Sequence, residues 1–258
     1  METQIWTIYT CFWLTLLGAV AGSFLECAVS RWAAGQPPFS GRSRCSTCGR
    51  TLGPGELVPV VSFLLQRGQC RHCGEDIPST CLWAELSGAF FFLCLGLVFG
   101  PQWVLGQWVV FAILLLALSL VDCAKRIIPD WMLLLLAANR LAWALLLRED
   151  LVTAALSALS GCAVAVALLL LVLLAEHFGR REVMGGGDIK LLLALGLYLD
   201  WSGMLLSLLS ACILGLLWAV LTGQGRGAVV PFGPFLALGA MGTVCFGQPM
   251  IDWYLGLL

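Results

Sequence analysis

A chain of 258 residues with 60% hydrophobic side chains, only 11% charged ones and a mean hydropathy of +0.95 is not an ordinary soluble globule, where charged residues make up about a quarter. It reads as an all-α polytopic membrane protein. With a net charge of -1 and no basic face, nothing in it points to nucleic acid as a partner.

Met1 to Tyr9 carries only Glu2 and no basic residue, so no cleavable signal peptide is expected. Residues 5–29 are long enough to cross a hydrocarbon core, which needs about 20 apolar residues. From Arg31 to Thr80 the chain changes character, with Arg31, Arg42, Arg44, Arg50, Arg67 and Arg71, several prolines and glycines, and four closely paired cysteines. Further helices are predicted at 82–99, 103–121, 131–147, 151–178, 189–199, 204–221 and about 235–257. That makes about eight transmembrane helices with a small zinc-ribbon-like insert after the first. The expected organisation is a first helix at 1–30, the cysteine module at 31–80 and the remaining membrane domain at 81–258. The helix at 189–199 is short for a crossing, so it either starts below the surface or continues through 200–203.

Lysine and arginine concentrate in cytoplasmic loops. With the N-terminus outside, twelve of the 14 basic residues fall inside, all except Arg140 and Arg148. The same orientation places Asp122 and Asp188 at the cytoplasmic boundary, although 66 positions separate them.

Cys45-Ser46-Thr47-Cys48 and Cys70-Arg71-His72-Cys73 are two CxxC pairs, each followed by a glycine, Gly49 and Gly74. Such knuckles aim two thiolates each at one tetrahedral ion, so Cys45, Cys48, Cys70 and Cys73 are predicted to bind structural Zn²⁺. Disulfides or redox thiols are the alternative, which a reducing cytoplasmic location disfavours. His72 is expected at the surface, because four cysteines already close the site. The other eight cysteines lie singly in or beside apolar runs and are read as small packing residues.

Two carboxylates placed together do not both ionise cheaply, so one keeps a proton while the other is charged. That state suits general acid–base hydrolysis of an amide, with Asp122 and Asp188 as the pair. In the alternative they cap helices or pair with Lys125, Arg126 or Lys190. Asp130, after Pro129, is expected to be a helix cap. Glu26, Glu85, Arg140 and Glu176 are either internal partners or interfacial groups. The three glycines before Asp188 lack a Cβ, so the backbone there can take left-handed angles and let another group come close.

Together these motifs resemble the prepilin peptidases, the type IV leader peptidases of bacterial pilus and type II secretion systems. The resemblance rests on GxGD at Gly185 to Asp188, on Asp122 upstream of Ile128-Pro129-Asp130, and on Gly22-Ser23-Phe24-Leu25. It rests also on the two knuckles, on Pro59-Val60-Val61-Ser62 between them, and on Pro231-Phe232-Gly233-Pro234-Phe235. It implies an inner-membrane aspartyl protease whose catalytic residues are Asp122 and Asp188. Such an enzyme cuts the basic leader of a prepilin or pseudopilin at the cytoplasmic face, after a glycine. In bifunctional relatives S-adenosylmethionine then methylates the new amine, an activity tied to the cysteine segment. This chain departs from the family pattern at Glu26, where asparagine is usual, and at Thr80-Cys81-Leu82, where Arg-Tyr-Pro precedes the glutamate matching Glu85. The competing readings are a peptidase without methylation, a proton- or cation-coupled transporter, and a non-enzymatic secretion scaffold.

Overall fold

In lipid every backbone amide must be satisfied within its own segment, so apolar runs of membrane length become helices. The computed structural model describes residues 2–178, 184–223 and 231–256, and among them the regular elements are helical. They are α1 (Glu2–Ala33), α2 (Val61–Leu65), α3 (Ser79–Phe99), α4 (Leu105–Lys125), α5 (Asp130–Leu146), α6 (Leu151–His177), α7 (Gly186–Gly196), α8 (Trp201–Leu221) and α9 (Gly233–Leu255). Each of the eight expected long helices has a counterpart. Six of them, α1, α3, α4, α6, α8 and α9, are long and apolar enough to cross a membrane.

The chain divides into two units, Met1–Lys125 and Arg126–Leu258. In the first, α1 and α3 run antiparallel: Gly22 faces Ala84, Gly18 faces Gly88 and Cys11 faces Gly96. A Cβ added to Gly18, Gly22 or Gly88 would strike the backbone of the opposing helix. Small residues thus let the two backbones touch, which is how helices associate where lipid gives no hydrophobic drive. Antiparallel pairing returns the chain to the end it left, so the insert between α1 and α3 emerges from one end of this unit. Lys125, closing α4, lies 3.9 Å over the ring of Trp32 near the end of α1. The end of α4 therefore belongs to that same insert-bearing end.

In the second unit α7 is central, packed against α5, α6, α8 and α9. Beyond Lys190 it is apolar all round, and Leu191, Leu192 and Leu195 are 1%, 0% and 0% exposed. Its 11 residues rise about 16 Å, too little to cross a bilayer core. A turn follows, and α8 begins at Trp201 with the Asp200 carboxylate capping Gly203 N–H at 2.9 Å. The continuation considered for the short helix is thus the first turn of the next one. α7 runs parallel to α5, since Gly187 abuts Ile128 at its start and Tyr198, just past its end, donates to the Leu136 carbonyl.

Candidate metal centre and candidate catalytic acids

The two knuckles are built alike. Cys45 N–H donates to Arg50 O and Gly49 N–H to Cys45 O, at 3.0 Å each; Cys70 N–H donates to Glu75 O and Gly74 N–H to Cys70 O, at 2.8 and 2.9 Å. Gly49 and Gly74 have φ of +70° and +73°, the left-handed region that glycine enters without a Cβ penalty. Single β-bridges close each loop, Arg44 to Thr51 and Gln69 to Asp76. The result brings one ligand atom from each of Cys45, Cys48, Cys70 and Cys73 within 4.8 Å of the others.

A Zn–S bond of about 2.3 Å makes the edge of a ZnS₄ tetrahedron about 3.8 Å. Cys45 Sγ and Cys73 Sγ are 3.8 Å apart, so the donor set fits the ion. The backbone N–H groups of Cys48 and Thr47 hold the Cys45 thiol down at about 7, and those of Cys73 and His72 lower Cys70 in the same way. The Glu75 N–H pulls Cys73 the same way. Desolvation and the thiols of Cys70, Cys45 and Cys48 outweigh it and push Cys73 up to about 12. Four thiolates do not share this volume unaided; a dication is what lets them all ionise.

Asp122 lies in the last turn of α4 and not in the polar break after it. It continues the buried stripe Phe111, Leu115, Leu118, and is 6% exposed. Asp188 sits in the first turn of α7, half-buried, on the face shared with Leu191, Leu192 and Leu195. The helix begins three residues earlier than expected, with Gly186 and Gly187 already helical. None of Gly185, Gly186 and Gly187 takes a positive φ, and what Gly185 and Gly187 provide is room. A Cβ on Gly187 would press on Ile128 at 3.3 Å, and one on Gly185 would lie 3.1 Å from Asp188 Oδ2. At the helix start the dipole favours a charged carboxylate.

Asp130 makes no helix cap. It accepts from Lys190 Nζ at 2.8 Å, which engages the lysine that follows Asp188. Arg140 is an internal partner, bonded to Glu149 at 2.7 Å and to the Leu197 carbonyl at 3.2 Å. Asn139 adds a bond to Tyr198 at 2.9 Å, so this cluster ties the far end of α7 to α5. Glu176 is exposed. Glu85, 7% exposed, accepts from the Val60 N–H at 2.6 Å, and Glu26 accepts from Thr80 at 3.3 Å. Two of the positions where the chain departs from the family pattern therefore contact one another. Arg180, Arg181 and Arg226, counted in the orientation argument, lie outside the described residues.

Residues 16–99 match the family model described as bacterial peptidase A24 N-terminal domain, and residues 109–220 match the type IV leader peptidase family. The chain is similar to the prepilin leader peptidase/N-methyltransferase of Bacillus subtilis (strain 168), 32% identical over 250 residues that span 94% of this chain and 96% of that protein. It is similar to those of Aeromonas hydrophila, 30% over 228 residues (85% and 78%), and Burkholderia pseudomallei (strain 1026b), 33% over 270 residues (91% and 84%). No solved structure matches.

Proposed function

The chain belongs to the type IV leader peptidase family, and from that premise we propose that it cleaves the leader of prepilins or pseudopilins and then methylates the new N-terminal amine. The observation that carries the first step is a carboxylate on the core-facing stripe of each of two helices in a membrane protein. Asp122 ends α4, and Asp188 opens α7. Acids at membrane depth are costly, about 2.5–3.5 kcal/mol each on insertion scales, and persist where they act. The polar stretch that follows Asp122 in the chain, residues 126–130, is the one that packs on the start of α7 through Ile128 and Asp130.

In this reading Asp122 and Asp188 share one proton. The ionised carboxylate takes a proton from water as its oxygen attacks the scissile carbonyl, while the protonated one donates to the carbonyl oxygen. Collapse of the tetrahedral intermediate expels the amine, which leaves with a proton. Charge counting supports a site at the cytoplasmic face of the inner membrane with the N-terminus outside. A substrate with a basic leader and an apolar following segment presents its junction there.

S-adenosylmethionine, when bound, would supply an electrophilic methyl group to the deprotonated new amine, its sulfonium S–CH3 bond breaking as the N–CH3 bond forms, so that it would leave as the thioether and the product as a methylammonium. No strand leading into a glycine-rich loop occurs among the described residues. Zn²⁺, held by Cys45, Cys48, Cys70 and Cys73, would be structural, since four thiolates leave no open position.

The test is the purified full-length protein with one prepilin, following leader release and the mass of the mature N-terminus. Asp122→Asn and Asp188→Asn should each slow cleavage by about 10²–10⁴-fold in a folded protein. Cleavage by the double variant at the unaltered rate would falsify the assignment.

A further inference from the structure

Val60 stands at the centre of a γ-turn of the rare, strained hand. Its φ is 62° and ψ -52°, and Val61 N–H donates across it to the Pro59 carbonyl at 2.6 Å. A β-branched side chain in that region is an outlier that persists only when its surroundings impose it. Here the imposing group is Glu85, whose Oε2 accepts the Val60 N–H at 2.6 Å. Glu85 sits on the core face of α3 with Gly88, Phe92 and Leu95, and is 7% exposed. A buried carboxylate in a membrane-length helix is thus used to hold one backbone amide of the insert.

The turn sets where α2 begins, and α2 leads directly to the second knuckle. Gly68 N–H donates to Phe63 O at 2.9 Å, and Ile77 N–H returns to Gly68 O at 2.7 Å, on either side of Cys70 and Cys73. Fixing Val60 therefore fixes the second knuckle against the end of α3. Both partners lie in residues 16–99, outside the segment 109–220 that holds both of the aspartates proposed for cleavage, Asp122 and Asp188. Of the two activities named for the relatives, methyl transfer is the one left to this part of the chain.

We propose that Glu85 is a positioning residue for amine methylation, acting by holding Val60 in its strained turn so that the second cysteine knuckle keeps its place at the end of α3. The proposal rests on the methyl-transfer reading above.

The experiment uses the zinc-loaded full-length protein with a prepilin and S-adenosylmethionine, and reads leader cleavage and N-terminal methylation separately by mass spectrometry. Glu85→Ala should leave cleavage within about twofold while slowing methylation at least about tenfold, the worth of a hydrogen bond to a charged group. Glu85→Gln keeps an acceptor oxygen and should methylate within about threefold of the parent chain. Glycine adopts the Val60 angles without strain, so adding Val60→Gly to Glu85→Ala should restore methylation. Packing loss alone would not be repaired that way. Unchanged methylation in Glu85→Ala, a Gln variant as slow as the Ala variant, or no recovery in the double variant each overturns the proposal. Equal loss of cleavage and methylation in a zinc-retaining Glu85→Ala protein overturns it too. If the Ala variant does not fold, the Gln variant decides: methylation kept supports the grip, methylation lost removes it. An unmethylated product from the unaltered chain refutes the methyl-transfer reading, and this role with it, and leaves the aspartate assignment standing.

Discussion

Gly49 and Gly74 occupy equivalent places in the two knuckles, and each is there because an L side chain at φ near +70° is strained. Neither has another atom near its Cβ position, so backbone conformation alone decides a substitution. Gly49→Val or Gly74→Val should cost about 1–2 kcal/mol, seen as zinc lost to a chelator at lower concentration. Cys45→Ser or Cys70→Ser should remove bound zinc outright, checked by metal analysis of the purified protein. Lys190→Met, by contrast, breaks an ion pair between two exposed side chains and should shift stability by less than about 1 kcal/mol. The Glu85 grip on Val60 belongs to the same scale: one buried acceptor holds one amide.

At the scale of elements, the glycines of the membrane helices divide by what faces them. Gly88 meets the Gly18 backbone, and a larger residue must push α1 and α3 apart. Gly88→Val should destabilise the first unit by about 1–3 kcal/mol or more, measured as a lower unfolding temperature in detergent. Gly242, in α9, has nothing within 4 Å of its Cβ position, and Gly242→Ala should be neutral or stabilising by up to about 1 kcal/mol in the same assay. The short α7 follows a different logic. Its buried faces and the Arg140 and Tyr198 bonds at its far end hold Asp188 on a fixed element, as its proposed role of general acid or base requires.

At the scale of the molecule, the insert has little apolar core of its own, and chelation should unfold it while the helices persist. Protease nicking between residues 36 and 78 with unchanged helical circular dichroism is the expected result. Composition and hydropathy by themselves determined the membrane class and the approximate place of each long helix, because lipid allows an apolar run no other structure. The paired cysteines determined which four thiols gather in one place, because a knuckle is local and its spacing is its geometry. What the sequence left open was decided by packing between elements distant in the chain. Glu85 became an internal partner while Glu176 stayed exposed, and Asp130 took Lys190 instead of a helix end. The GxGD glycines gave room and no left-handed turn, since α7 starts early enough to include two of them. Hydropathy reports what a residue prefers to leave, and only the folded neighbours report what it meets.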